Sequence, residues 1–481
     1  MSSYTKTKDM LYYVHCAIGI LLMFFFRFLP APEPITPFGM QMLGIFFGLI
    51  YMWSTVSTLW PSCLGLFALC FTEYGGVGAV TAASFGNPAS VMLFLFLGIV
   101  VILEESGLAT WIANKFLTIK ALQGKPWLFT LCWFLLIATL ASCCSMFLII
   151  FTFWSVFYKI AEQVGFKKGD PYTSLMIIGI LIFAAIGGIM IPFNGMAIIA
   201  NSAYINMGRP GVEYAMYIPN VAAVLYSMVI CYVGLMRFVF RCDVSPLKNY
   251  DFSQVAGEIQ PMTKYQKVLG VFVIGAVILM ILPGLVPKTT VFGYYLSKLQ
   301  AQGILIGGFA LLSMVKIDGK PMLDFNEVSG KISWNLFFII ATAMCISSAI
   351  TADGTGVKDF LLAFLEPILT TLSPMAFVVL LCVISVILTN IFNNIVICLV
   401  MISILSVYAT AYPVNEPVAL TLLIVCACLG YMLPSSSVSG AILHGNPWLT
   451  PQIIYKYVFV ILIMMTLCTI CVGAPLGFLL Y

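Results

Sequence analysis

The chain has 481 residues, of which 62% are hydrophobic and 8% charged, with a formal net charge of +4. Soluble domains carry about a quarter charged residues, so this composition excludes a soluble fold, a disordered chain, a coiled coil and a disulfide-stapled scaffold. The charge surplus is also too small to suggest a nucleic-acid partner.

A helix needs about 20 apolar residues to cross the hydrocarbon core of a bilayer. Apolar runs between Pro, Gly and charge clusters predict spans over 10–29, 38–58, 62–73 and 85–104. The first run is long and lacks a small-residue cleavage site, so it reads as a retained helix in an N-terminal segment 1–37. The fourth run ends on Glu104-Glu105-Ser106-Gly107. These acids read as interfacial groups at a helix end; inside the membrane they would be candidate proton relays. A long apolar stretch then covers 127–157, with Ala141-Ser142-Cys143-Cys144-Ser145 at its middle. The run 172–207 follows and is broken at Gly187-Gly188-Ile189-Met190-Ile191-Pro192-Phe193-Asn194-Gly195. A span over 213–236 closes the first half, and 237–266 is a basic, polar linker.

The second half predicts spans over 267–286, 292–314 and 334–352, then an acidic turn at Asp353-Gly354-Thr355-Gly356. A second long stretch, 374–408, has the polar centre Thr389-Asn390-Ile391-Phe392-Asn393-Asn394. The run 417–443 breaks at Pro434-Ser435-Ser436-Ser437-Val438-Ser439-Gly440, and a last span covers 455–480.

Both long stretches exceed one crossing and fall short of two. The placement of positive charge decides how they are drawn. If each dips into the membrane and returns, 17 Lys and Arg lie on one face and five on the other, the five being Arg27, Arg209, Lys288, Lys298 and Lys358. A single crossing at 127–157 would scatter them. The expected fold is therefore an all-α polytopic membrane protein with about eleven transmembrane helices and two re-entrant hairpins that enter from opposite faces. Positive charge puts the N-terminus in the cytoplasm and the C-terminus outside, and the expected location is a bacterial inner or plasma membrane.

The order span, acidic-Gly turn, hairpin, broken span, span occurs twice, over 38–236 and 267–481. Because the hairpins enter from opposite faces, the two copies form an inverted-topology repeat, a secondary-transporter signature. Substrate is expected where the tips and breaks converge. Non-helical backbone at that depth must be buried in protein or line a wet cavity. Neither tip carries Lys or Arg, so an anion there would be held by backbone N–H groups, amides and hydroxyls. With two histidines and most cysteines inside apolar runs, a zinc site is not expected. His444 reads as an interfacial loop residue or a gate. No HExxH, no paired Asp within spans and no GxxxxGK motif is present, which argues against an enzyme and against direct ATP coupling.

The pattern from about residue 38 to 480 resembles the divalent anion/sodium symporter family, the dicarboxylate, citrate and sulfate carriers of the ion transporter superfamily. Members of that family carry Ser-Asn-Thr at the hairpin tips and Thr-Pro-Pro-Asn-like turns in the broken helices. Here Ser142-Cys143-Cys144 falls on the first tip motif, keeping the Ser. Thr389-Asn390-Ile391 falls on the second, keeping the Asn and losing the Thr hydroxyl. Ser437 falls on the Thr of the second turn, Val438 and Ser439 on its two Pro, and Gly440 on its Asn; Pro192-Phe193-Asn194 resembles the first turn.

The resemblance implies an elevator-type carrier of a di- or tricarboxylate, working as a homodimer in a lipid bilayer, with sodium coupling or exchange and no other cofactor. It implies substrate contacts from Ser142, Cys143, Cys144, Ser145, Asn194, Gly195, Asn390, Ile391, Asn393, Asn394, Ser437 and Ser439. It implies sodium contacts from Ser142, Asn194, Thr389, Asn390, Ser436 and Gly440. The divergent tips leave open a monocarboxylate, another small solute or an oxyanion with proton coupling, and more remotely a membrane-embedded enzyme.

Overall fold

Proline sets many of the helix starts. Pro37, Pro88, Pro126, Pro171, Pro374 and Pro451 each sit in the first turn of a helix. Their missing N–H would have no intrahelical partner there, and their fixed φ suits the helix. Thr36, Asn87 and Ser373 cap three of these helices through side-chain oxygens. The computed structural model describes all residues except 1, 193–194, 249, 257–259, 285, 288, 351, 361–362, 364–371 and 435. Phe193, Asn194, Lys288 and Ser435 of the sequence reading thus lie outside the described residues.

The helices used below are, in order, α1 (Ser2–Phe25), α2 (Pro37–Thr55), α3 (Leu59–Leu69), α4 (Pro88–Glu105), α5 (Pro126–Cys143), α6 (Met146–Val164), α7 (Pro171–Gly187), α8 (Gly195–Asn206) and α9 (Tyr214–Gly234). The second half supplies α10 (Lys264–Ile281), α11 (Val291–Met314), α12 (Trp334–Ile350), α13 (Pro374–Thr389), α14 (Asn394–Ala411), α15 (Glu416–Ala427), α16 (Val438–His444) and α17 (Pro451–Cys468). Among the described residues, nine helices are long and apolar enough to cross a membrane, and shorter apolar helices accompany them. Strand is confined there to one two-residue pair at Lys316–Ile317 and Lys320–Pro321.

Two expectations change in length. The stretch 127–157 is a hairpin whose arms, α5 and α6, have 18 and 19 residues, each about 27 Å long. The hydropathy run stops near 157 because the last turns of α6 are two-faced. Ile160 and Ala161 are buried there while Lys159 and Glu162 are exposed. The predicted span 62–73 is the 11-residue α3, about 16 Å long, which ends before a turn and a second short helix, Gly76–Ala83. The second hairpin is α13 and α14, turning at Asn390–Asn393.

The helices sort into two packed groups. One holds α2, α3, α4, α10, α11 and α12, with α1 laid on α2. The other holds the hairpins, the broken helices, α9 and α17. In the second group α7 packs against both arms of the first hairpin, and α15 against both arms of the second. Those two half-helices are apolar on every side and are buried along nearly their whole length. Gly187 permits the closest approach, since a Cβ there would lie 2.4 Å from the Ala138 carbonyl of α5. Helix α8 bridges the groups by packing on both α12 and α14.

Contacts between the halves test the hairpin topology. Lys331 forms an ion pair with Glu105. The Thr36 hydroxyl donates to the Gly354 carbonyl at 2.6 Å. A single crossing at the first stretch would put each of these pairs on opposite faces of the membrane. A hairpin puts each pair on one face, as contact requires.

Candidate functional site

At the second tip, Asn390 ends α13 and is buried. Its amide oxygen accepts the backbone N–H of Tyr431 at 2.9 Å and of Met432 at 2.8 Å. Its amide nitrogen donates to the Leu429 and Val386 carbonyls, both at 2.7 Å. A carboxamide has two acceptor and two donor positions, so all four are engaged. Three of these bonds go to the unwound segment between α15 and α16. The Thr389 hydroxyl donates to the Ala427 carbonyl at 2.9 Å, and the Asn394 N–H donates to the Ser436 carbonyl at 3.1 Å. The second tip is therefore laced to the second break along its length.

The break has its own internal order. The Ser437 hydroxyl donates to the Gly430 carbonyl at 2.6 Å and accepts the Gly440 N–H at 2.9 Å, capping α16. The Ser436 hydroxyl donates to the Leu433 carbonyl. A Cβ on Gly440 would lie 2.6 Å from that same carbonyl, so the turn admits no side chain there. His444 Nε2 lies 3.0 Å from the Met432 carbonyl and holds the inner end of the segment. Asn393 caps α14 by accepting the Ile395 N–H at 3.0 Å, and Ile391 is exposed at the turn.

The first tip is built from local contacts. The Ser142 hydroxyl donates to the Thr139 carbonyl at 2.7 Å and lies 3.5 Å from Cys143 Sγ. Cys144 is buried. Ser145 caps α6, accepting the Phe147 N–H at 3.3 Å. Cys143 also lines a small apolar cavity with Phe96, Ile99 and Leu103 of α4 and Ile191 of the first break. In that break the Ile189 carbonyl accepts the Tyr217 hydroxyl at 2.8 Å. Gly195 opens α8 with φ of +51°, a left-handed conformation that favours glycine.

The halves meet at the tips. Ser439 Oγ lies 3.7 Å from Sδ of Met146, so the second break touches the first hairpin at its turn. Helix α16 also packs on α7. The structure thus joins the second tip to the second break through Thr389, Asn390 and Asn394, and that break to the first hairpin through Ser439 and Met146. Asn390 faces backbone rather than open space, and Asn194 lies outside the described residues.

Sequence reading missed several partners. Tyr431, Met432 and Leu429 lie inside an apolar run and contribute backbone, which leaves no compositional mark. Glu104, which the sequence reading flagged at the end of an apolar run, is half-buried at the end of α4.

Two long helices, α6 and α14, start at the tips with their positive dipole ends there, their first turns capped by Ser145 and Asn393. No Lys or Arg occurs in 141–146, 389–394 or 429–440.

Comparison with known proteins agrees with this geometry. The family model described as citrate transporter (CitMHS) matches residues 49–430. A solved structure, the YdaH transporter of Alcanivorax borkumensis, described as having an unusual topology, aligns with a TM-score of 0.56 over 92% of this chain and 98% of its own, at 11% sequence identity. At that identity the likeness is one of fold. No curated protein sequence matches the chain. The family match covers most of the chain and includes both hairpins, so the protein is an integral membrane protein of the citrate transporter family and a secondary transporter.

Proposed function

We propose that the protein carries a di- or tricarboxylate such as citrate across the membrane by an elevator-type movement of the hairpin group against the α2–α4 and α10–α12 group. One observation carries the reading. The tips and the second break converge, through Met146–Ser439 and Asn390–Met432, where two long helices begin. Helix N-termini attract carboxylates without a buried lysine or arginine, whose desolvation would oppose release. Two-group packing supports an elevator: α7 holds both arms of the first hairpin and α15 both arms of the second, with α8 as the bridge to the other group. Sodium, as a co-transported ion, would find oxygen ligands around Thr389, Asn390, Ser436 and Gly440. Working as a homodimer fits a family in which one group stays fixed while the other moves.

Ligand-induced stabilisation tests the substrate class. Purified protein is melted with citrate, succinate, sulfate or a monocarboxylate, each with and without sodium. Binding to the folded state raises Tm with concentration. The reading expects citrate or succinate to raise Tm most. A rise confined to sulfate or to the monocarboxylate would replace the substrate class, and sodium-independent rises would replace the ion.

A further inference from the structure

Each repeat leaves its broken helix on a Gly-X-Pro turn, Gly208-Arg209-Pro210 after α8 and Gly445-Asn446-Pro447 after α16. Both turns reach into the other repeat. Arg209 donates from Nη2 to the Ala409 carbonyl of α14 at 3.0 Å and forks onto Glu416, the first residue of α15. Asn446 donates from its amide to the Tyr158 hydroxyl of α6 at 2.7 Å, and its amide oxygen accepts the Trp448 N–H at 2.9 Å. Trp448 stacks on the Tyr158 ring, with centroids 5.0 Å and planes 20° apart. Lys168, just before α7, places Nζ 5.7 Å from the Trp448 ring centroid. Each turn thus grips the other repeat's hairpin on its returning arm and beside the start of the next half-helix. The chain passes from one face to the other along α7 and α8, and back along α15 and α16, so the two grips lie on opposite faces.

Between the grips the repeats meet through apolar packing of α8 on α14 and of α16 on α7, and through the Ser439–Met146 contact at 3.7 Å. Apolar attraction is non-directional, and packed helices can slide on one another by small amounts. Hydrogen bonds and stacked rings are directional and fix the register. Asn446 and Trp448 are both buried, so water competes weakly for their contacts.

We propose that the two turns are reciprocal clasps that stay closed through the transport cycle and hold both hairpins in the one relation that assembles the substrate site. The clasps rest on the transporter reading above. Arg209 and Asn446 act in them as positioning residues, since each works through the hairpin it holds. An open clasp lets the repeats shift and lowers the fraction of carriers whose site is assembled. Apparent affinity falls by that fraction, while a loaded carrier, held together by its substrate, moves at its ordinary rate. A gate makes the opposite demand, because it must open in every cycle.

Asn446→Ala removes both amide bonds of one clasp. In proteoliposomes it should raise the half-saturating citrate concentration at least about fivefold and keep the maximal rate within about twofold. Adding Tyr158→Phe should change either value by less than about twofold, because the bond is already gone. An unchanged half-saturating concentration, or a loss confined to the maximal rate, overturns the clasp. Covalent closure separates a clasp from a gate. Tyr158→Cys with Asn446→Cys, in protein whose exposed Cys63, Cys231 and Cys471 are replaced, is joined by a short bifunctional thiol reagent, and the linked species is confirmed by mass. Linking should bring the half-saturating concentration back to within about twofold of the unsubstituted value with turnover kept. Arrest of transport by the link overturns the clasp. A last readout needs no substrate. Spin labels on Phe147→Cys and Val438→Cys, both exposed positions beside the tip and the break, report the spacing of the repeats. Their distance distribution should broaden when Asn446→Ala is added, and identical distributions overturn the clasp. If the unsubstituted protein carries neither citrate nor succinate, the transport reading fails while this distance still judges the clasp.

Discussion

The amide oxygen of Asn390 accepts the backbone N–H of Met432, 42 positions later, at 2.8 Å. With Tyr431 and Leu429 it makes the second hairpin and the second broken helix one unit. Asn390→Ala strips two buried N–H groups and two carbonyls of their partner, at about 1–3 kcal/mol for each group left unpaired. Asn390→Asp keeps the acceptor and loses the donor to Leu429 and Val386. Transport in proteoliposomes is expected to vanish in the alanine variant and to fall less in the aspartate variant, with Tm following the same order. An alanine variant with wild-type Tm would show that the lacing does not hold the break.

Gly187→Ala tests the packing of the first hairpin. The new methyl would lie 2.4 Å from the Ala138 carbonyl, which is backbone and cannot rotate aside. Helices α5 and α7 must separate, a loss of about 1–3 kcal/mol. Thermal unfolding reads it directly. No change in Tm would mean that the two helices do not meet so closely.

The two halves are also tied at the far face. Arg209 forms a two-pronged ion pair with Glu416, one prong being Nε to Oε2 at 2.9 Å, and Tyr204 donates to the same carboxylate at 2.7 Å. The two side chains are only 20% and 15% exposed, so solvent screens the pair weakly. The sequence reading placed Arg209 only among the five positive charges of its face. Lysine keeps the charge and loses the fork, so Arg209→Lys should lower stability by about 1–3 kcal/mol. Equal Tm in wild type and Arg209→Lys would show that charge alone suffices.

Much of this arrangement was legible in the chain. Polar tips inside apolar stretches marked both turns. Gly187-Gly188 and Pro434 marked the breaks, because Gly and Pro interrupt the helical ladder. Other parts were hidden for physical reasons. The last turns of α6 carry Lys159 and Glu162 on a solvent face, and hydropathy averages that face with the buried one. Asn390 announced a polar site, but its partners are backbone groups of Leu429, Tyr431 and Met432, whose side chains say nothing of the bond. Glu104 looked like a helix-end residue, and it is one.

The Lys331–Glu105 pair makes the topology testable. Glu105 beside it holds the Lys331 ammonium above its usual range. A raised lysine keeps its contribution at every pH below its ordinary value and loses it only as pH climbs through the raised one. The pair should therefore persist from about pH 7 to about pH 9. Cysteines placed at 105 and 331, with Cys63, Cys231 and Cys471 replaced, should react with an impermeant maleimide from the same side of sealed vesicles. Cysteine at Thr36 should react from the other. Labelling of 105 and 331 from opposite sides would mean that the first hairpin crosses the membrane.

The most direct measurement is accumulation of labelled citrate in proteoliposomes, with sodium and proton gradients imposed one at a time and empty liposomes as the baseline. Gradient-driven accumulation above that baseline, abolished by Asn390→Ala, is the predicted result. Citrate and succinate uptake equal to empty liposomes under both gradients, from protein that melts cooperatively, would contradict the account.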